Sequence, residues 1–99
     1  MKLTKLELFK AVMQNFSNTA KVVEGKSFIK SGAYKYYKET NEIVKDINDT
    51  KYVGGRYEKI KRQIVFKVEK ALGTIKIIST ETNSVLINMS HKTEPLILV

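Results

Sequence analysis

The stretch whose reading decides the fold is Arg56-Tyr57-Glu58-Lys59-Ile60-Lys61-Arg62-Gln63-Ile64-Val65-Phe66-Lys67-Val68-Glu69-Lys70-Ala71-Leu72, closed by Gly73. Six basic residues against Glu58 and Glu69 give it half of the chain's net charge of +8. On a helical wheel Tyr57, Ile60, Ile64, Val65, Val68, Ala71 and Leu72 share one arc of roughly 140°, as an amphipathic helix requires. Phe66 falls outside that arc, among Lys59, Arg62 and Lys70. A strand would place Ile60, Ile64, Phe66, Val68 and Leu72 on one face but turn Tyr57, Val65 and Ala71 the wrong way. The stretch is also long for a strand, and Gly73 stands where a helix C-terminal cap is wanted. The pattern therefore predicts a basic helix over residues 56–72, with Phe66 more exposed than Ile64, Val65 or Val68.

Outward from this stretch, the C-terminal side reads as an antiparallel β-hairpin. Ile75 and Ile77 alternate with Thr74, Lys76 and Ile78, Thr80-Glu81-Thr82-Asn83 supplies a turn, and Val85, Ile87 and Met89 alternate with Leu86 and Asn88. The odd-numbered face is the buried one. Pro95 then precedes Leu96-Ile97-Leu98-Val99, an apolar run that needs a cover, either as a further strand or against a second copy of the chain. The expectation is a homodimer or larger oligomer with this segment at its interface.

On the N-terminal side, Thr4 and Glu7 have capping-box spacing. Leu6, Leu8, Phe9, Val12, Met13 and Phe16 follow within roughly 160° of arc, which predicts an amphipathic helix over Lys5 to Phe16. Val22, Val23, Phe28 and Ile29 flank Glu24-Gly25 as a small hairpin would, with helix left open for residues 20–30. Ser31 is placed to cap a second helix, in which Ala33, Tyr36, Tyr37, Thr40, Ile43, Val44 and Ile47 fall within roughly 120°. Tyr36 and Tyr37 thus read as core. Asn48 to Gly55 reads as a loop ending in a plain Gly54-Gly55 turn, with no phosphate-cradling glycine pattern around it.

The predicted architecture is a small single-domain α+β protein with two to three amphipathic helices and a C-terminal antiparallel β-hairpin. Over Ser31 to Ser90 the order helix, basic helix, hairpin resembles a winged-helix domain, which implies that the helix before the hairpin enters the DNA major groove. The likeness is one of topology. The two helices are separated by more residues than a helix-turn-helix uses, and the hairpin tip Glu81-Thr82-Asn83 carries no cation. The lysine-, asparagine- and isoleucine-rich composition is similar to that of small phage or mobile-element proteins.

A chain of 99 residues with a net charge of +8 and a pI near 9.7 favours an anionic partner such as nucleic acid, an acidic protein or a lipid surface. With no cysteine there is no disulfide, thiol catalysis or common zinc site. No apolar run is long enough to span a membrane or serve as a signal-peptide core, so a cytoplasmic protein is expected. His91 is the lone histidine, in a polar stretch, and the carboxylates are scattered, so neither catalysis nor a cofactor or metal is expected. The functional expectation is a nucleic-acid-binding or regulatory protein using Arg56, Lys59, Arg62, Phe66, Lys67 and Lys70. The alternatives are a protein-interaction module, such as an inhibitor of a host enzyme, with Phe66 as anchor, and a purely structural oligomer.

Overall fold

In the computed structural model, which describes residues 1–91 and 93–99, the basic stretch is a strand. It runs from Arg56 to Ala71, sixteen residues without a break, and it is strand β6 of the chain. Ahead of it come β1 (Lys2–Leu3), helix α1 (Lys5–Asn15), β2 (Val22–Glu24), β3 (Phe28–Ser31), β4 (Tyr34–Tyr37) and β5 (Glu42–Val53). Behind it come β7 (Thr74–Ser79), β8 (Ser84–Ser90) and β9 (Ile97–Leu98). Strands β2 to β8 form one seven-stranded sheet in chain order, with every neighbouring pair antiparallel. At 57% strand and 11% helix, in a single helix, this is an antiparallel sheet covered by one helix. It is not the α+β arrangement of two to three helices, and without those helices the winged-helix order falls away.

The two expected helices over residues 31–47 and 56–72 fail for the same reason. Both stretches are rich in Tyr, Ile, Val and Phe, which favour a pleated, half-buried surface over a helix. The first arc joined two strands across a turn, with buried Tyr36 and Ile43 seven residues apart; the second joined an exposed half-strand to an alternating one. In β6 the outer residues 56–63 are exposed on both faces, so no burial pattern marks them as strand. The inner residues do alternate. Phe66 and Val68 are buried, while Lys67 and Glu69 are exposed.

Phe66 is therefore core, more buried than Ile64 or Val65, its ring centroid 5.3 Å from that of Phe16. Residues 33–47 break where Asn41 turns the chain at φ 52, between β4 and β5. Asn48–Val53, read as loop, continues β5. Gly54-Gly55 is the two-residue turn of the β5–β6 hairpin, both residues at positive φ (60 and 83), as a type I′ turn demands.

One face of the sheet is sealed by α1. The helix forms where expected. Thr4 accepts from the Glu7 backbone N–H, and Glu7 accepts from Thr4, a full capping box that holds the Glu7 carboxyl below its usual range. Leu8, Phe9, Val12 and Met13 face down onto Ile29, Tyr36, Ile43, Phe66, Ile75 and Ile77. Phe9 meets Tyr36 edge-on at 6.1 Å, and Phe16 stacks on Tyr34 at 5.6 Å. Tyr36 is fully buried, and its hydroxyl donates to Asn41 Oδ1 at 2.7 Å.

The helix exit is tied to the sheet by Asn18, whose amide donates to both the carbonyl and the hydroxyl of buried Ser31 at 3.1 Å. Among the described residues the opposite sheet face carries no helix. The β2–β3 hairpin and the β7–β8 hairpin both form. In the second, a register shift between Ile77 and Ile78 places Val85 opposite Ile78, so Val85 leaves the odd-numbered buried face and is half exposed.

The C-terminal apolar run is covered in part within the chain. Strand β9 pairs parallel with β1, Lys2 with Ile97 and Leu3 with Leu98. Leu3 and Leu98 are buried and Leu96 packs against the core, while Ile97 and Val99 stay exposed.

Phe66→Ala should lower unfolding free energy by about 3–5 kcal/mol in urea titration, as for a core aromatic. A surface residue would lose almost nothing. Burial pushes the Tyr36 phenol from 10.0 up to about 12. A raised phenol pKa contributes stability that is whole below pH 10 and is lost as pH climbs through 12. Tyr36→Phe should therefore remove a step of that alkaline unfolding, followed by far-UV dichroism at rising pH.

Candidate nucleic-acid interface

Strands β5 and β6 pair over twelve positions, from Glu42 with Lys67 to Val53 with Arg56. Their neighbours are far shorter. Strand β4 supports β5 only from Glu42 to Lys45, and β7 supports β6 only from Phe66 inward. Beyond these points Asp46–Val53 and Arg56–Gln63 continue as a two-stranded ribbon, about 27 Å long at 3.4 Å per residue. Every residue from Asn48 to Gln63 is exposed. The projection draws the molecule out to 59 Å along one axis against 28 and 24 Å along the others. We refer to this ribbon as the arm.

Because cross-strand partners share a face, the register sorts the arm's side chains. One face continues the helix-covered side of the sheet: Ile47 with Arg62, Asp49 with Ile60, Lys51 with Glu58, Val53 with Arg56. It mixes three cations with two carboxylates, and Arg62 reaches back to Glu81 at 3.2 Å. The other face runs Asp46 with Gln63, Asn48 with Lys61, Thr50 with Lys59, Tyr52 with Tyr57. At its base Gln63 Nε2 donates to Asp46 Oδ1 at 2.8 Å. Outward of that bond this face carries Lys59 and Lys61 with no carboxylate, beside the donors and acceptors of Asn48 and Thr50. Over the whole arm Lys51, Arg56, Lys59, Lys61 and Arg62 face Asp46, Asp49 and Glu58.

The residues expected to form one basic helical face are dispersed by the strand. Arg56, Lys59 and Arg62 lie on the arm, but Lys59 points to the opposite face from Arg56 and Arg62. Lys67 and Lys70 are exposed on the inner half of β6, away from the arm. Phe66 is in the core and is closed to any ligand.

Sequence reasoning missed Lys51, Lys61, Tyr52 and Tyr57 as surface groups of one element. The signal was present. A Gly-Gly pair with a tyrosine two residues before it and another two residues after it is a hairpin pattern, and a hairpin tip is an exposed place. His91 is exposed, its Nδ1 3.3 Å from the Thr93 hydroxyl. Among the described residues no three histidine or carboxylate side chains converge as a metal site would need, and no helix is long and apolar enough to cross a membrane.

No family model matches the chain, and neither a curated protein nor a solved structure is significantly similar to it. The arm's meaning therefore rests on its own chemistry.

An isolated two-stranded ribbon is marginally stable and shelters no core. Removing residues 48–53 and 56–61 together would join Ile47 and Arg62 through the Gly54-Gly55 turn in the same register and on the same faces. This shortened chain should unfold in urea within about 1 kcal/mol of the intact one. A larger loss would mean that the arm is part of the folding unit.

Proposed function

We propose that the protein binds nucleic acid, with the β5–β6 arm as its contact element. The observation that carries this reading is the arm itself, a ribbon exposed on both faces with five cations against three carboxylates. A two-stranded β-ribbon is narrow enough to enter the major groove of duplex DNA, and an extended cationic ribbon can equally track a single strand. Lysine and arginine contacts to phosphate supply affinity and orientation without specifying sequence. Asn48, Thr50 and Gln63 add hydrogen-bonding groups beside the lysines, where base edges or sugars would lie. An overall charge of +8 steers any polyanion toward the molecule.

A second reading has an observation of its own. Tyr52, Val53, Tyr57 and Ile60 are large apolar residues exposed near the arm's end, and aromatic anchors also serve protein interfaces. Under that reading the arm would hold an acidic protein, such as a host enzyme that it inhibits.

The two readings part on salt dependence and charge. With random duplex and single-stranded DNA, anisotropy titrations should give affinity that falls steeply with salt, with a log–log slope of about −0.9 per phosphate contact on duplex. Arg56→Ala with Lys59→Ala and Lys61→Ala should flatten that slope by roughly two to three units. The shortened chain should lose measurable binding altogether. No binding of the intact chain to any nucleic acid at low salt would transfer the arm to the protein-interaction reading.

A further inference from the structure

Five tyrosines stand in the chain, and the fold uses three of them. Tyr36 is buried under Phe9, Tyr34 stacks on Phe16, and Tyr37 lies against Phe28 on the sheet. Tyr52 and Tyr57 are different. They face each other one position inward of the Val53–Arg56 pair that borders the Gly54-Gly55 turn, near the far end of an arm that shelters nothing, and they are 63% and 76% exposed. Their ring centroids are 5.2 Å apart with an interplanar angle of 64°. Rings stacked flat would each hide a face of the other; this tilted contact leaves ring face open to solvent.

The surroundings of the pair are equally open. Apart from each glycine and its two chain neighbours, no atom lies within 4 Å of where a Cβ would stand on Gly54 or Gly55. Inward along the same face come Lys59 and Lys61, at steps of about 6.8 Å given the rise of a strand. The carboxylates of Asp49 and Glu58 belong to the opposite face. One side of the arm thus presents, from its tip inward, two aromatic platforms and then two ammonium groups.

Resting on the nucleic-acid reading above, we infer that this face selects unpaired bases, so that the preferred ligand is a single-stranded polynucleotide. In a duplex the face of each base is covered by its neighbours. In a single strand it is free to stack on an aromatic ring, while lysines hold the backbone. Tyr52 and Tyr57 take bases, and Lys59 and Lys61 take the phosphates that follow. A cross-strand pair that only fastened the ribbon's end would support duplex and single-strand binding equally.

Anisotropy of the full-length protein with a labelled oligothymidylate and with a labelled mixed-sequence duplex of the same length separates these possibilities. The intact chain should bind the single strand roughly tenfold or more tightly at one salt concentration. Tyr52→Ala with Tyr57→Ala should lose roughly tenfold or more on the single strand and less than about threefold on the duplex, with the salt slope unchanged. Lys59→Ala with Lys61→Ala should flatten the single-strand slope by about 1.4, from two contacts at 0.7 each. The tyrosine variants keep the core intact, and an unchanged urea midpoint would verify it. Equal affinity for the two ligands, or equal losses on both, would overturn the selectivity while leaving the arm as a nucleic-acid contact. Absence of binding to either ligand would overturn both.

Discussion

The register of β5 against β6 is the constraint on which the rest of the molecule depends. At its inner end it sets Ile43 opposite Phe66, and both side chains are buried beneath α1. At its outer end it sets Tyr52 opposite Tyr57 across the Gly54-Gly55 turn. The period of a strand is two, so a slip of one residue would send Phe66 and Val68 to the open face and bring Lys67 toward the helix. Burying an unpaired ammonium there costs far more than the pairing gains. The register is thus held from both ends, by the hydrophobic core and by a turn whose two positive-φ positions suit glycine.

The same hairpin links the body to the arm. Within the body, the alternation of β6 joins that of β3, β4, β5, β7 and β8 into one apolar face, which the four inward residues of α1 seal. The pairing of β1 with β9 brings the two ends of the chain together, so that Leu3 and Leu98 close one border of this core. Past the support of β4 and β7, the arm is held by the ribbon's own ladder and, at its base, by the Asp46 N–H donating to the Ala33 carbonyl and a few side-chain contacts. An element with so little burial is drawn from the low-stability end of the structure, where ligand-contacting segments are commonly found. Its exposed cations and aromatics contribute little to folding, in keeping with the contact role proposed for them.

Legibility in the sequence followed burial. Helix α1 was readable because its capping box and apolar arc both lie in one short segment, and the β7–β8 hairpin because Ile75 and Ile77 alternate cleanly. Residues 56–71 were not, since a strand half in the core and half in solvent carries two patterns in one run. Averaged over a helical wheel, Tyr57 and Ile60 from the arm joined Ile64 and Val68 from the body into an arc with no physical counterpart. Phe66 was the residue that broke that arc, and it is the one that belongs to the core. The cations were visible as charge, but their division between two faces of a ribbon depends on register. Tyr52 and Tyr57 became a pair only once Gly54-Gly55 was seen as a two-residue turn.

The central claim is that the arm, and not the sheet body, meets nucleic acid. Amide chemical-shift mapping during titration with a single-stranded oligonucleotide tests it most directly, because it reads each residue separately. The account predicts shift changes concentrated between Asn48 and Gln63, largest around Tyr52, Tyr57, Lys59 and Lys61, with α1 and the inner half of β6 undisturbed. Changes centred instead on the open face of the sheet, at Phe28, Lys35, Lys67 and Ile78, would contradict it.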